Sequence, residues 1–219
     1  MTQSSMRNRK LTLMAMLAAM AYVAMLITRP LPAVAGFLSY DLKDVIVAIA
    51  GFLLGPAPAL AITLVVSLIE MLTVSATGPI GLLMNVLSTS AFVLPSAIMY
   101  RRDRTLRSAA LGLVLGVILM AAVMLAWNYI VTPLYMHVPR DVVAGMLLPT
   151  FLPFNLVKGG LNAGITILLY KPLSGVLKKL LPAGSGNEAA PQRFNLTATL
   201  VSVFVVATCV AVYVLMTRG

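Results

Sequence analysis

The sequence is poor in the residues on which most enzyme and metal sites depend. It contains one histidine, His137, one cysteine, Cys209, and six acidic residues among 219 positions. A single cysteine excludes an intramolecular disulfide, and a single histidine argues against a zinc site or a histidine-activated nucleophile. The H-E-x-x-H, G-x-S-x-G and G-x-x-x-x-G-K patterns are also missing, so the chain has no phosphate-binding loop with which to hydrolyse ATP. We therefore expect no enzyme, no catalytic residue, no metal site and no cofactor.

Charge is equally scarce, and this sets the class of protein. Only 10% of the residues are charged and 60% are apolar, with a mean hydropathy of +0.99. Soluble domains are far more polar, and the apolar blocks leave no room for a separate aqueous domain. The net charge of +10 sits in short segments between those blocks and is not interleaved with exposed aromatics, which argues against nucleic acid. We predict an all-α polytopic membrane protein.

Seven apolar segments predict seven spans. The second has only ten apolar residues, so it reaches a useful length only if it begins near Asp41 and ends at the breaker pair Gly55–Pro56. Retention of the first span is favoured over signal cleavage near Ala35, because the apolar run is long and Arg29 follows it. The predicted spans are residues 11–28, 41–54, 59–74, 80–100, 109–130, 151–170 and 196–216, with a longer loop at 131–150.

The basic residues predict both the domain limits and the orientation. With the N-terminus in the cytoplasm, eleven of the sixteen Lys and Arg residues fall in cytoplasmic segments and four fall outside, which is a strong positive-inside asymmetry. The seventh span then places the C-terminus outside the cell. We expect a six-helix substrate-binding membrane domain at 1–181, a cytoplasmic linker at 182–194 and an additional transmembrane segment at 195–219.

One predicted span contains an anomaly. Asn155, Lys158 and Asn162 share a single helix face at spacings of three and four residues. A lysine inside a span is costly and normally faces protein or water, so it marks a functional site. The same orientation brings polar residues of four other spans to the same depth: Asp41, Asp44, Glu70, Asn85 and Asn128. Because the inner halves of these spans are almost purely apolar, the pattern favours a pocket that is open outward and closed inward over an ion pathway.

Each of these residues also has a plainer interpretation. Asp41 and Asp44 are suited to capping the second helix, and buried amides such as Asn85 and Asn162 often only join helices. Glu70 could lie at the level of the lipid headgroups, and Asn128 beside Trp127 could belong to an interfacial belt. Lys158 lies more than a turn below the outer surface, which favours the pocket over snorkelling.

Four stretches together resemble a known family. They are Tyr40–Asp44, Gly51–Pro56, Thr77–Gly81 followed by Met84-Asn85, and Pro153–Gly159 followed by Asn162. In this order they look like the riboflavin-binding S component of energy-coupling factor (ECF) vitamin transporters, over residues 10–180. Two departures stand out: Val45 occupies a position where proline is expected, and the seventh span lies outside the usual six-helix core.

The resemblance implies a function and a set of partners. Such a protein captures riboflavin from outside and works with a transmembrane coupling subunit and two cytoplasmic ATPases. Asp41, Asp44, Asn85, Asn155 and Lys158 would line the flavin site, and the 29–40 loop would help to close it. The small residues Ala15 and Ala19 on the first helix would contact the coupling subunit.

Flavin chemistry independently suits the remaining candidates. Lys158 and the amides could meet the polar edge of the ring, while Tyr40, Trp127 or Phe154 cover its face. The carboxylates, Asn85 and Asn128 could serve the ribityl hydroxyls. The alternatives are an S component for another vitamin, or a small ion-coupled transporter that would accumulate its substrate without any ATPase partner; an intramembrane enzyme receives little weight.

Overall fold

The computed structural model describes residues 3–178 and 196–218 of the chain, and every regular element within them is a helix. The predicted linker at 182–194 lies outside the described residues. The elements are α1 (Gln3–Thr28), α2 (Lys43–Leu54), α3 (Pro56–Thr73), α4 (Gly78–Asp103), α5 (Leu106–Met136), α6 (Arg140–Met146), a π-helical segment (Leu147–Phe151), α7 (Leu152–Lys178) and α8 (Leu196–Arg218).

Six of the described segments are long and apolar enough to cross a membrane, which confirms the predicted membrane class. The short helix α2 is the exception. Its twelve residues rise about 18 Å, well below the roughly 30 Å of a bilayer core. The helix also begins two residues after the predicted start at Asp41. The helix ends at Gly55, whose φ of 95° favours glycine, and Pro56 opens α3, as the breaker pair predicted.

Helix α2 lies at the centre of the bundle. Eleven of its twelve residues are buried, and it packs against α1, α3, α4 and α7. A helix that is apolar on all sides must be surrounded by protein or lipid. Since this helix begins with Lys43 and Asp44, the same packing draws two charged side chains into the interior.

The predicted loop at 131–150 is wrong. Helix α5 continues through Pro133 to Met136, and α6 with the π-helical segment leads directly into α7. A proline inside a helix removes one backbone hydrogen bond without necessarily ending the helix. The actual break is short, beginning at His137, which has a left-handed φ of 53°, and followed by α6 at Arg140.

Helices α4 and α5 approach each other closely at two glycines. A Cβ atom on Gly112 would lie 2.6 Å from Cα of Ser96, and one on Gly116 would collide with the carbonyl oxygen of Phe92. Small residues at such crossings let helix backbones come near in a membrane. This contact holds the α4 residues that face α2.

The two ends of the bundle differ in character. At one end, which we call the site end, the 29–42 loop lies beside the last turn of α3 and the beginning of α7, through contacts of Arg29 with Val74 O and of Phe37 with Phe151. At the other end Phe52, Tyr100 and Tyr170 form a buried aromatic cluster in which the two tyrosine hydroxyls are hydrogen-bonded.

Candidate binding site

Two ion pairs form the base of a buried charged cluster at the site end. Lys158 Nζ of α7 donates to Asp41 Oδ2 at 2.8 Å, and Lys43 Nζ of α2 donates to Glu70 Oε2 of α3 at 2.7 Å. Lys43 also lies 3.9 Å from Asp41 Oδ2 and so joins the two pairs. Buried charges are tolerated only when paired, because desolvation costs several kcal/mol per ion. The pairing therefore ties α2, α3, α7 and the 29–42 loop together.

Asp44 is the hub of a second, adjoining network. Its Oδ1 accepts from Thr89 Oγ1 of α4 at 2.6 Å, and its Oδ2 accepts from Asn162 Nδ2 at 3.3 Å. Asn162 Oδ1 in turn accepts from the hydroxyl of Tyr40 at 2.9 Å. Asp44 and Asn162 are completely buried, so these bonds replace the water that both side chains lose.

Asp41 has one oxygen without a partner. Its Oδ1 is buried and accepts no hydrogen bond within the described structure. Burial acts to raise the pKa of this carboxyl, but the ammonium groups of Lys158 and Lys43 outweigh it and hold the pKa below its ordinary value. Asp41 is thus a carboxylate with a free acceptor, and such an orphaned atom in a native site calls for an explanation.

Tyr40 is a donor in this arrangement. Burial, followed by the negative charges of Asp41 and Asp44, raises the pKa of its phenol. The hydroxyl therefore keeps its proton and donates to Asn162.

The other predicted amides are near the cluster in sequence but use their groups differently. Asn155 is buried, and its Nδ2 donates to Phe151 O of its own helix. Asn128 is buried on α5, where its amide bonds to Met124 O and to the hydroxyl of Thr132. Asn85 is half-buried one turn before Thr89 on α4. Each retains amide donor or acceptor capacity beyond these bonds.

Two of the plainer interpretations, helix capping by Asp41 or Asp44 and snorkelling of Lys158, do not hold. The N-cap residue of α2 is Leu42, without a side-chain cap, so neither Asp41 nor Asp44 caps this helix. Lys158 is 8% exposed, so its side chain does not extend into solvent. Glu70 forms an ion pair with Lys43. Trp127 is half-buried and packs against the main apolar core.

Sequence reasoning missed Lys43 and Thr89. No spacing along the chain marks Lys43 as a site residue, although the tight Gly55–Pro56 break makes α2 and α3 neighbours and sets Lys43 opposite Glu70. Thr89 lies four residues after Asn85, which was the available signal for a polar face on α4. In the described residues no group of three or more His, Cys, Asp or Glu side chains is placed to hold a metal ion.

The small residues of α1 divide between two faces. Ala18 and Ala21 are buried in the core, while Ala15 and Ala19 are exposed on a neighbouring face of the helix. Their predicted contact with a coupling subunit stays a prediction.

Comparison with known proteins bears directly on this geometry. Residues 9–170, which contain the whole charged cluster, match the sequence model described as "ECF transporter, substrate-specific component". The chain belongs to this family. The resemblance drawn from the four motif stretches is thereby confirmed, and the S component is a multi-pass membrane protein of a transporter family.

Its relatives carry informative names. The chain is 31% identical to the riboflavin transporter RibU of Staphylococcus aureus over 180 residues, which covers 80% of this chain and 95% of that one. It is 32% identical to RibU of Streptococcus thermophilus, covering 79% and 86%, and 29% identical to the riboflavin transporter FmnP of Bacillus subtilis, covering 70% and 86%.

A solved structure supports the fold as well. A structure described under "Structure and mechanism of the S component of a bacterial ECF transporter" matches with a TM-score of 0.67 and 31% identity. The match covers 78% of this chain and 99% of the other. The predicted six-helix S-component bundle with an added C-terminal helix is confirmed.

Proposed function

We propose that this S component captures riboflavin from outside the cell and delivers it for uptake by an ECF transporter. The observation that carries the proposal is the buried cluster around Asp41, Asp44, Lys158 and Asn162, which lies inside the family-matched region. Relatives named as riboflavin transporters supply the ligand class.

The cluster suits the two halves of the ligand. The ammonium of Lys158 is a strong donor for the carbonyls on the polar edge of an isoalloxazine ring. The orphaned Oδ1 of Asp41 is an acceptor for a ribityl hydroxyl, and Asn155 Oδ1 together with its second N–H can serve either group. Tyr40 and Phe154, which are buried side by side, offer aromatic surface next to these polar atoms.

The charge balance favours riboflavin over its phosphate ester. Three carboxylates, Asp41, Asp44 and Glu70, face two ammonium groups that are already paired, Lys43 and Lys158. A phosphate would add about two further negative charges to a buried cluster whose two ammonium groups already have carboxylate partners.

Energy and orientation belong to the same proposal. The N-terminus lies in the cytoplasm and the site end faces outward, in line with the distribution of Lys and Arg. A transmembrane coupling subunit, contacted by Ala15 and Ala19 on the exposed face of α1, and two cytoplasmic ATPases supply the energy for uptake. The chain itself performs no chemistry.

A titration of the purified protein tests the ligand. Riboflavin should quench the fluorescence of the single Trp127, and protein prepared from flavin-rich medium should carry a yellow ligand. Flavin mononucleotide should bind at least about tenfold more weakly, because its phosphate meets the excess of carboxylates. Protein that neither carries flavin nor responds to riboflavin would overturn the proposal, and equal binding of the two flavins would refute the charge argument.

A further inference from the structure

The C-terminal helix α8 lies outside the part of the chain that matches the family, which ends at residue 170. It nevertheless packs against α7 at a defined position. A Cβ atom on Gly160 would lie 2.8 Å from Cys209 Sγ, and one on Gly164 would lie 2.7 Å from Val206 Cγ2. Glycines four residues apart give a helix surface on which a second helix can approach closely. The position of α8 along α7 is therefore fixed by shape.

This packing places Tyr213 at the site end of the bundle. Tyr213 is 8% exposed, although most of α8 faces away from the protein. Its hydroxyl donates to Pro32 O at 2.7 Å, and its ring meets that of Tyr40 edge-on at 5.9 Å. Both partners belong to the 29–42 loop. Tyr213 thus packs with Val34, Tyr40 and Phe154 in a small apolar cluster separate from the main core.

The contact continues into the charged cluster. Tyr40 donates to Asn162, and Asn162 donates to Asp44. The ring of Tyr213 packs against the ring of Tyr40, while its hydroxyl bonds to the loop backbone at Pro32, eight residues earlier in the chain. A side chain from α8 therefore restrains both ends of the segment that lies over the site.

We propose that Tyr213 is a positioning residue: it holds the 29–42 loop and Tyr40 against the site, so that α8 slows the release of the captured ligand. The inference depends on the proposed function for the identity of the ligand, riboflavin. The contacts of Tyr213 with the 29–42 loop do not depend on that function. An α8 that serves only as a membrane anchor would leave the release rate unchanged.

Ligand release measured on the full chain in detergent tests the proposal. Tyr213→Phe removes the hydroxyl and keeps the ring, and Tyr135→Phe removes a hydroxyl from a tyrosine that is 42% exposed on α5. The dissociation rate of riboflavin, followed by recovery of flavin fluorescence, should rise roughly threefold to tenfold in Tyr213→Phe, the range expected for one lost hydrogen bond. The rate of Tyr135→Phe should equal that of the wild type, and the unfolding temperature without riboflavin should be nearly the same in all three proteins.

A second readout needs no ligand. Hydrogen exchange at the amides of Val34, Phe37 and Leu38, which bond within the loop, should be faster in Tyr213→Phe than in Tyr135→Phe. If the wild type binds riboflavin and Tyr213→Phe releases it at the wild-type rate, the proposal is overturned. Unchanged hydrogen exchange in Tyr213→Phe would overturn it as well. A wild type that binds no riboflavin would refute the proposed function instead, and the exchange measurement would still decide the role of Tyr213.

Discussion

At the scale of single residues, Asp41 is the most informative group. It is the shared partner of two ammonium groups, and it keeps one oxygen unpaired. A carboxylate in this position contributes to folding through its ion pairs and leaves an acceptor for a ligand. The same side chain thus connects stability with recognition, and its titration separates the two contributions.

The lowered pKa of Asp41 predicts how stability depends on pH. The unfolded carboxyl titrates near 3.8 and the folded one below that value, so the contribution of Asp41 is complete above about pH 5. It should shrink as the pH falls below 3.8 toward the folded pKa, because the unfolded chain then binds more protons. Thermal unfolding of the wild type and of Asp41→Asn, measured from pH 7 to pH 3, checks this. A wild-type advantage that grows on acidification would contradict it.

At the scale of helices, the close approach of backbones determines which helices pack together more than the hydrophobic pattern does. The α4–α5 and α7–α8 contacts each use a glycine pair four residues apart. In lipid, apolar side chains gain little by leaving one apolar surface for another, so shape fixes which helices meet.

Gly116 gives a test of this packing. In Gly116→Ala the new methyl group would collide with the carbonyl of Phe92, and overpacking of this kind costs about 1–3 kcal/mol. We expect the unfolding temperature to fall by roughly 2–10 °C. Gly145→Ala on α6 is the matched control, since no atom lies within 4 Å of its Cβ position. Equal unfolding temperatures for the two variants would refute the close-packing account.

Several elements could be predicted from sequence for clear physical reasons. The Gly55–Pro56 break and the shared face of Asn155, Lys158 and Asn162 follow from local chemistry alone. The 131–150 segment could not, because Pro133 is compatible with both a helix and a turn.

The long-range partners of the site were harder to predict. Lys43 and Glu70 are 27 residues apart, and Tyr213 and Pro32 are 181 apart. Their pairing depends on how whole helices pack, and no spacing along the chain records it. Local sequence patterns therefore indicate the α7 face of the site more readily than the α2, α4 and α8 contributions.

At the scale of the whole molecule, the site end and the opposite end differ in chemical character. Charged and amide groups gather at the first, whereas Phe52, Tyr100 and Tyr170 close the second. A bundle with a polar site at one end and an aromatic seal at the other is suited to capture from one side. Delivery to the other side then requires the other subunits of an ECF transporter.

The central claim is that riboflavin binds at the Asp41–Lys158 cluster, and calorimetric titration of variants tests it most directly. Lys158→Ala should weaken binding by roughly tenfold or more, because it removes a charged donor whose hydrogen bond to the ligand is worth about 1.5–3 kcal/mol. Lys10→Ala, which removes an exposed lysine from α1, should bind like the wild type. The double variant Asp41→Asn/Lys158→Met keeps the volume without leaving Asp41 as an unpaired charge, and it should be folded yet weak. Wild-type affinity in a folded Lys158→Ala or double variant would contradict the account.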